Sequence, residues 1–120
     1  MKISAQVLDA SYGKPAAGVR ARLARVTDGV WMSVASTETD ENGLIEDWES
    51  WRLERGLYQI AFDSGRYFAG LGTVAAYPEV IIVFHIVNDA YVFQVQVMLA
   101  PHAYSTYFGT LDPLASDLRQ

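Results

Sequence analysis

The sequence predicts an all-β fold, a two-sheet antiparallel sandwich of about eight strands with one short helix. Three observations point there. Apolar residues recur with a period of two in run after run, which is the signature of half-buried strands. The runs are short and separated at regular intervals by turn residues, as in sandwiches and barrels. The chain is 51% hydrophobic over 120 residues, enough for one core and too short for two domains.

Lys2 to Leu8 alternates, with Ile3, Ala5 and Val7 on one face and Ser4, Gln6 and Leu8 on the other. Ser11-Tyr12-Gly13-Lys14-Pro15 is a turn. Val19 to Val26 alternates again, with Val19, Ala21 and Leu23 inward and Arg20 and Arg22 outward. Asp28-Gly29 signals a hairpin into Val30 to Thr37, in which Val30, Met32 and Val34 are expected to share a face. Asp40-Glu41-Asn42-Gly43 turns the chain toward a short strand at Leu44-Ile45-Glu46.

Trp48 to Leu57 reads as loop, and Tyr58 to Phe62 as strand. Tyr67, Phe68 and Leu71 lie at helical spacing, which predicts one short helix over Gly65 to Leu71. Val80 to Ile86 is apolar on both faces, so both are expected to be covered. After Asn88-Asp89, Tyr91 to Leu99 is the longest strand; Gln94, Gln96 and Met98 share one of its faces. Pro101 ends it, and Tyr104 to Phe108 forms a last strand. Residues 1–110 are read as the domain and 111–120 as a C-terminal extension.

The charge balance narrows the function. A net charge of −5 is unsuited to nucleic acid or to an anionic membrane, both of which require a basic face. No stretch approaches the length of a membrane-spanning helix. With no cysteine, disulfides, thiolate nucleophiles and zinc–thiolate sites are excluded. His85 and His102 are the only histidines, without metal-ligand spacing, so no metal and no cofactor is expected. The N-terminus enters its alternating pattern without an apolar leader, and a cytoplasmic address is expected.

Five segments resemble one known family in order. They are Gln6-Val7-Leu8-Asp9-Ala10 with Gly13-Lys14-Pro15-Ala16; Thr39-Asp40-Glu41-Asn42-Gly43; Tyr58-Gln59-Ile60-Ala61-Phe62-Asp63 with Tyr67-Phe68; Tyr77-Pro78-Glu79-Val80; and Leu99-Ala100-Pro101-His102-Ala103-Tyr104-Ser105-Thr106-Tyr107. Together they are similar to the transthyretin / 5-hydroxyisourate hydrolase family from about residue 3 to residue 110. The last segment is the most specific. The resemblance implies a transthyretin-like sandwich that assembles as a homotetramer, a dimer of dimers with a central channel. One branch of the family opens the ring of 5-hydroxyisourate there, and the other binds thyroid hormone.

The hydrolase branch uses a histidine in the first strand, an arginine after the mid-chain glycine, a histidine in the long strand and a terminal Tyr-Arg-Gly-Ser. The matching positions here are Gln6, Leu44, Gln94 and Tyr107-Phe108-Gly109-Thr110. Glutamine is no general base near neutral pH, and leucine and phenylalanine hold no anion. The resemblance therefore implies a diverged member in which 5-hydroxyisourate hydrolysis is not expected.

The residues left in place suggest a different small-molecule site. Gln6, Gln94 and Tyr107 are the candidate catalytic residues, and Leu8, Leu44, Gln96, Met98, Ser105, Phe108 and Thr110 the candidate substrate contacts. Three functions stay open: an enzyme that hydrolyses, cyclises or rearranges another reactive molecule, a carrier, or a structural or regulatory relative of an active hydrolase. Glu46, Asp47 and Glu49 can supply a base or simply be solvated; Trp48 and Trp51 can stack on a ligand or cover the sandwich edge. His85 is read as packed or at a dimer edge, and His102 as exposed. Leu111, Leu114 and Leu118 have amphipathic helical spacing, which suggests a tail across the channel mouth.

Overall fold

The computed structural model describes residues 2–46, 48, 54–87 and 92–111. Among these residues, nine strands and one helix follow in order: β1 (Lys2–Asp9), β2 (Lys14–Pro15), β3 (Arg20–Thr27), β4 (Val30–Glu38), β5 (Leu44–Ile45), β6 (Gly56–Phe62), α1 (Ser64–Gly70), β7 (Val80–Ile86), β8 (Val92–Ala100) and β9 (Ala103–Leu111). The sandwich is the one the alternation predicts. The extra strand is β2, a two-residue piece inside the predicted turn.

One sheet runs β2-β1-β8-β9, with β5 pairing with β1 as well; the other runs β4-β3-β6-β7. The ladders are antiparallel except β1 with β8, which is parallel from Lys2 opposite Val92 to Asp9 opposite Leu99. That pairing joins the first strand to one some ninety residues later and places both in the middle of the site-bearing sheet.

The core forms where the inward residues of the two sheets meet. Ile3, Ala5 and Val7 of β1 pack with Phe93, Val95, Val97 and Leu99 of β8, against Leu23, Ile60, Phe62, Val80 and Ile82. The sequence pattern of β7 predicts cover on both faces, but its burial alternates, with only Val80, Ile82, Phe84 and Ile86 buried. Its other face is uncovered in the single chain, where Ile81 and Val83 stay about half exposed (46% and 53%). His85 is exposed on the same face. Strands β7 and β9 are the free edges on one flank of the sandwich, side by side through the Phe84–Phe108 ring stack at 4.8 Å.

Strand β4 departs from simple alternation. Leu23 pairs with Ala35 but Ala24 with Ser33, leaving Val34 as the extra residue of a β-bulge. Val30, Met32 and Val34 therefore do not form one continuous row. The hairpin before it is as predicted: Asp28 and Gly29 take φ of 52° and 76°, the conformation a tight primed turn demands. Helix α1 starts where Asp63 accepts from the Arg66 N–H at 3.3 Å. No helix among the described residues is long and apolar enough to cross a membrane.

Trp48 is buried in the core (2% exposed) rather than offered to a ligand. Glu46 and His102 are exposed. Asp47, Glu49, Trp51 and the tail from 112 to 120 lie outside the described residues.

Candidate functional site

Strand register brings most of the predicted residues onto the outer face of the first sheet. Residues opposite each other across a ladder share a face, and the inward face is fixed by buried Ala5, Val7, Val95 and Val97. The outward rows follow. One is Leu44, Gln6, Gln96 and Tyr107, from β5 through β1 and β8 to β9. On one side lies Ser4, Gln94 and Gly109. On the other lies Pro15, Leu8, Met98 and Ser105. These three rows contain no charged side chain.

Leu44 reaches this face through the mid-chain turn. The Asp40 carboxylate accepts from the backbone N–H groups of Asn42 (2.8 Å) and Leu44 (3.0 Å). The Gly43 carbonyl accepts from Val7 N–H at 2.8 Å, which ties the turn to β1. Gly43 has φ of 74°, and a Cβ there would collide with the Val7 carbonyl oxygen. Both constraints call for glycine.

At the centre, Gln96 Nε2 donates to Gln6 Oε1 at 3.1 Å. Among the described residues neither amide makes another side-chain hydrogen bond, so the pair keeps a free donor on Gln6 and a free acceptor on Gln96. Gln6, Gln94 and Gln96 are half-buried, while Tyr107 is 59% exposed. Thr106 lies on the opposite side of β9 by alternation; its hydroxyl donates to the Gln96 carbonyl at 2.9 Å and helps to hold the edge strand.

Two predicted contacts fall on the other side of β9. Phe108 is partly buried and stacks on Phe84 and Phe93, with ring centroids 4.8 and 5.7 Å apart. Thr110 pairs with Phe93, whose side chain is in the core. Adjacent strand residues point to opposite faces, so Phe108 and Thr110 cannot share the face that holds Tyr107.

Two features of the face escape the alternation pattern. An open concavity of about 310 Å³ extends it past Leu8 and Met98 to Ala10, Gly13, Lys14 and Pro15. The signal for it is the proline beside a strand end. The other is Gly109, a glycine inside a strand, which marks a close approach by another group. Other depressions lie on the second sheet, lined by Arg20, Arg22, Ser36, Asp63 and Glu79 and crossed by the Arg22–Glu79 ion pair. Among the described residues no cluster of three metal-ligating side chains occurs.

Comparison with known proteins places this geometry. Residues 3–109 match the model of the HIUase/Transthyretin family. The chain is 34% identical over 113 residues to a probable 5-hydroxyisourate hydrolase of Schizosaccharomyces pombe, covering 90% of each chain. It is 32% identical over 111 residues to the 5-hydroxyisourate hydrolase of Mus musculus, covering 90% of this chain and 94% of the other. Among solved structures, the 5-hydroxyisourate hydrolase of Klebsiella pneumoniae superposes with a TM-score of 0.80 at 30% identity, over 92% of this chain and all of that one. Sea bream transthyretin in complex with thyroxine shares the fold, with a TM-score of 0.85 at 24% identity over 92% of this chain and 97% of its own. By sequence and by structure, the chain belongs to the HIUase/Transthyretin family.

Proposed function

We propose that the outer face of the first sheet binds and converts an uncharged, planar small molecule rich in carbonyl or amide groups, and that this molecule is not 5-hydroxyisourate. The observation that carries the reading is the Gln6–Gln96 amide pair, flanked by Gln94 and Tyr107 on rows without charge. Relatives named as 5-hydroxyisourate hydrolases supply the precedent for small-molecule hydrolysis on this scaffold. In this proposal Gln6 and Gln94 donate hydrogen bonds that polarise a substrate carbonyl, and Tyr107 moves a proton. Gln96 and Ser105 orient polar edges, while Leu8, Leu44 and Met98 wall the ring. Such uncharged machinery suits an intrinsically reactive substrate, for which positioning supplies much of the acceleration.

The site is proposed to lie in the channel of a homotetramer. The exposed apolar face of Ile81 and Val83 and the free edges of β7 and β9 motivate association. Light scattering at micromolar concentration is expected to give four times the 13.3 kDa chain mass; a monomer removes the channel.

A second reading, a carrier without chemistry, is favoured by the mainly apolar concavity around Leu8, Pro15 and Met98 and by the transthyretin likeness. Uracil, a neutral planar cyclic diamide, and orotate, its anionic congener, test the proposal. Uracil is expected to perturb the side-chain amide signals of Gln6, Gln94 and Gln96 in NMR, and orotate not to. A 5-hydroxyisourate absorbance assay is expected to show negligible turnover; rates like those of an active hydrolase overturn the reading. Gln6→Leu and Gln94→Leu are each expected to lower turnover of the true substrate about 100-fold, as loss of a polarising donor does. A carrier loses affinity instead and shows no turnover at all.

A further inference from the structure

The ring of Tyr107 does not stand up from the sheet. It lies along β9, over the backbone of Gly109. A Cβ built on Gly109 would meet the Tyr107 hydroxyl first, then Cζ at 2.7 Å and Cε1 at 2.8 Å. Carbon contacts that close do not occur, so any side chain at 109 would displace the ring. The backbone itself makes no such demand, since Gly109 is not among the residues with positive φ. A glycine weakens a strand interior. Here the neighbouring ring takes the space a side chain would need.

The consequence lies one row away. Gly109 is directly opposite Gln94. Cross-strand Cβ positions are roughly 5 Å apart. The Tyr107 hydroxyl lies against the place a Cβ at 109 would have, so it stands beside the position of the direct partner of Gln94. Register alone puts Tyr107 in the row of Gln6 and Gln96. Its phenol oxygen is carried out of that row into the row of Gln94.

We infer that Gly109 is a positioning residue that leaves room for Tyr107 to lie flat and so sets its hydroxyl in the row of Gln94, where the two groups, not hydrogen-bonded to each other, form a second polar pair for a ligand beside the bonded Gln6–Gln96. This deepens the proposed use of the outer face and rests on it for its functional meaning. A planar ligand then meets an amide pair on one edge and an amide–phenol pair on the next. Two different polar pairs distinguish the ends of such a ligand, so Gly109 selects its orientation. With alanine at 109 the ring must swing up, and the second pair is lost while the first stays.

The test uses NMR of the full-length protein with labelled Tyr rings and Gln side-chain amides. Gly109→Ala is expected to shift the Tyr107 ring and the Gln94 amide, to leave the Gln6–Gln96 hydrogen bond in place, and to leave the melting temperature equal or higher. In a Tyr107→Ala background the same change is expected to shift Gln94 much less. Unchanged Tyr107 and Gln94 signals, or equal Gln94 shifts in both backgrounds, overturn the inference. Should Gly109→Ala fail to fold, Tyr107→Ala alone decides. The ring current on the two Gly109 Hα signals is expected to vanish, and its absence in the parent protein overturns the inference. These readouts require no ligand. A uracil arm tests the selectivity: the footprint on Gln94 is expected to disappear in Gly109→Ala while that on Gln6 and Gln96 persists. If the parent protein binds no uracil, the ligand proposal fails and the positioning of Tyr107 stands or falls on its own signals.

Discussion

The Tyr67 hydroxyl donates to Asp9 Oδ2 at 2.7 Å, joining the helix α1 to the end of β1 across 58 residues of sequence. Asp9 is buried (1% exposed) and its other oxygen accepts from the Ser11 hydroxyl (2.7 Å) and from the N–H groups of Ser11 (2.9 Å) and Tyr12 (3.0 Å). Burial pushes the carboxyl up, but the bonds from Ser11, Tyr67 and Tyr12 more than offset it and hold the pKa below the ordinary 3.8. Tyr67 is pushed well above 10.0, by burial and then by its bond to Asp9 and the charge there, so it remains a donor at neutral and mildly alkaline pH.

Tyr67→Phe is expected to destabilise the fold by about 1.5–3 kcal/mol at pH 7, the worth of a hydrogen bond to a charged group. The sign of the pH dependence follows from the lowered carboxyl. A depressed folded pKa contributes stability above 3.8 that is lost as the pH falls through the folded value. The gap between parent and variant is therefore expected to narrow in acid. Urea titrations at a series of pH values check this; a gap that widens on acidification removes the account.

Thr39 is a second buried tie. Its hydroxyl donates to the Ala16 carbonyl at 2.7 Å and accepts from the Val19 N–H at 2.9 Å. Thr39→Val keeps the shape and leaves two backbone groups short of a partner, at an expected cost of about 1–3 kcal/mol. Thermal unfolding of the two proteins measures it, and an unchanged midpoint contradicts it.

Gly43→Ala meets both a positive φ and the Val7 carbonyl. It is expected to cost at least about 2 kcal/mol, and to displace Leu44 from beside Gln6. Equilibrium unfolding gives the first effect. An unaltered Gln6 side-chain amide signal in NMR argues against the second.

Phe108→Ala separates core from site. It removes the middle ring of the Phe84–Phe108–Phe93 stack, with an expected loss of about 2–4 kcal/mol for a half-buried aromatic on an edge strand. Ligand footprints on Gln94 and Gln96 are expected to survive in the folded variant. Stability close to that of the parent with loss of those footprints restores Phe108 to the ligand site.

Period-two alternation by itself determined a good deal. It assigned Ile3, Ala5 and Val7 to the interior and put Gln6 with Leu8, and Gln94 with Gln96 and Met98, on outward faces, because successive strand side chains must point opposite ways. Asp28-Gly29 and Asp40 to Gly43 were legible as turns because their chemistry is local. Pairing is not local, and only the tertiary structure decided it. Nothing in residues 2–9 states that they lie parallel to residues 92–99, yet that ladder is what brings Gln6 within hydrogen-bonding distance of Gln96.

The same limit explains the misplaced residues. Reading Tyr107, Phe108 and Thr110 as one site overlooks that neighbours diverge, and the register of β9 on β8 then assigned Tyr107 to the surface and packed Phe108 against the core. The bulge at Val34 broke a row that the sequence pattern left whole, because an extra residue changes the pairing without changing the composition. The direction of a ring along its strand is a contact between side chain and backbone two residues apart. Tyr107 over Gly109 became visible only when both were in place.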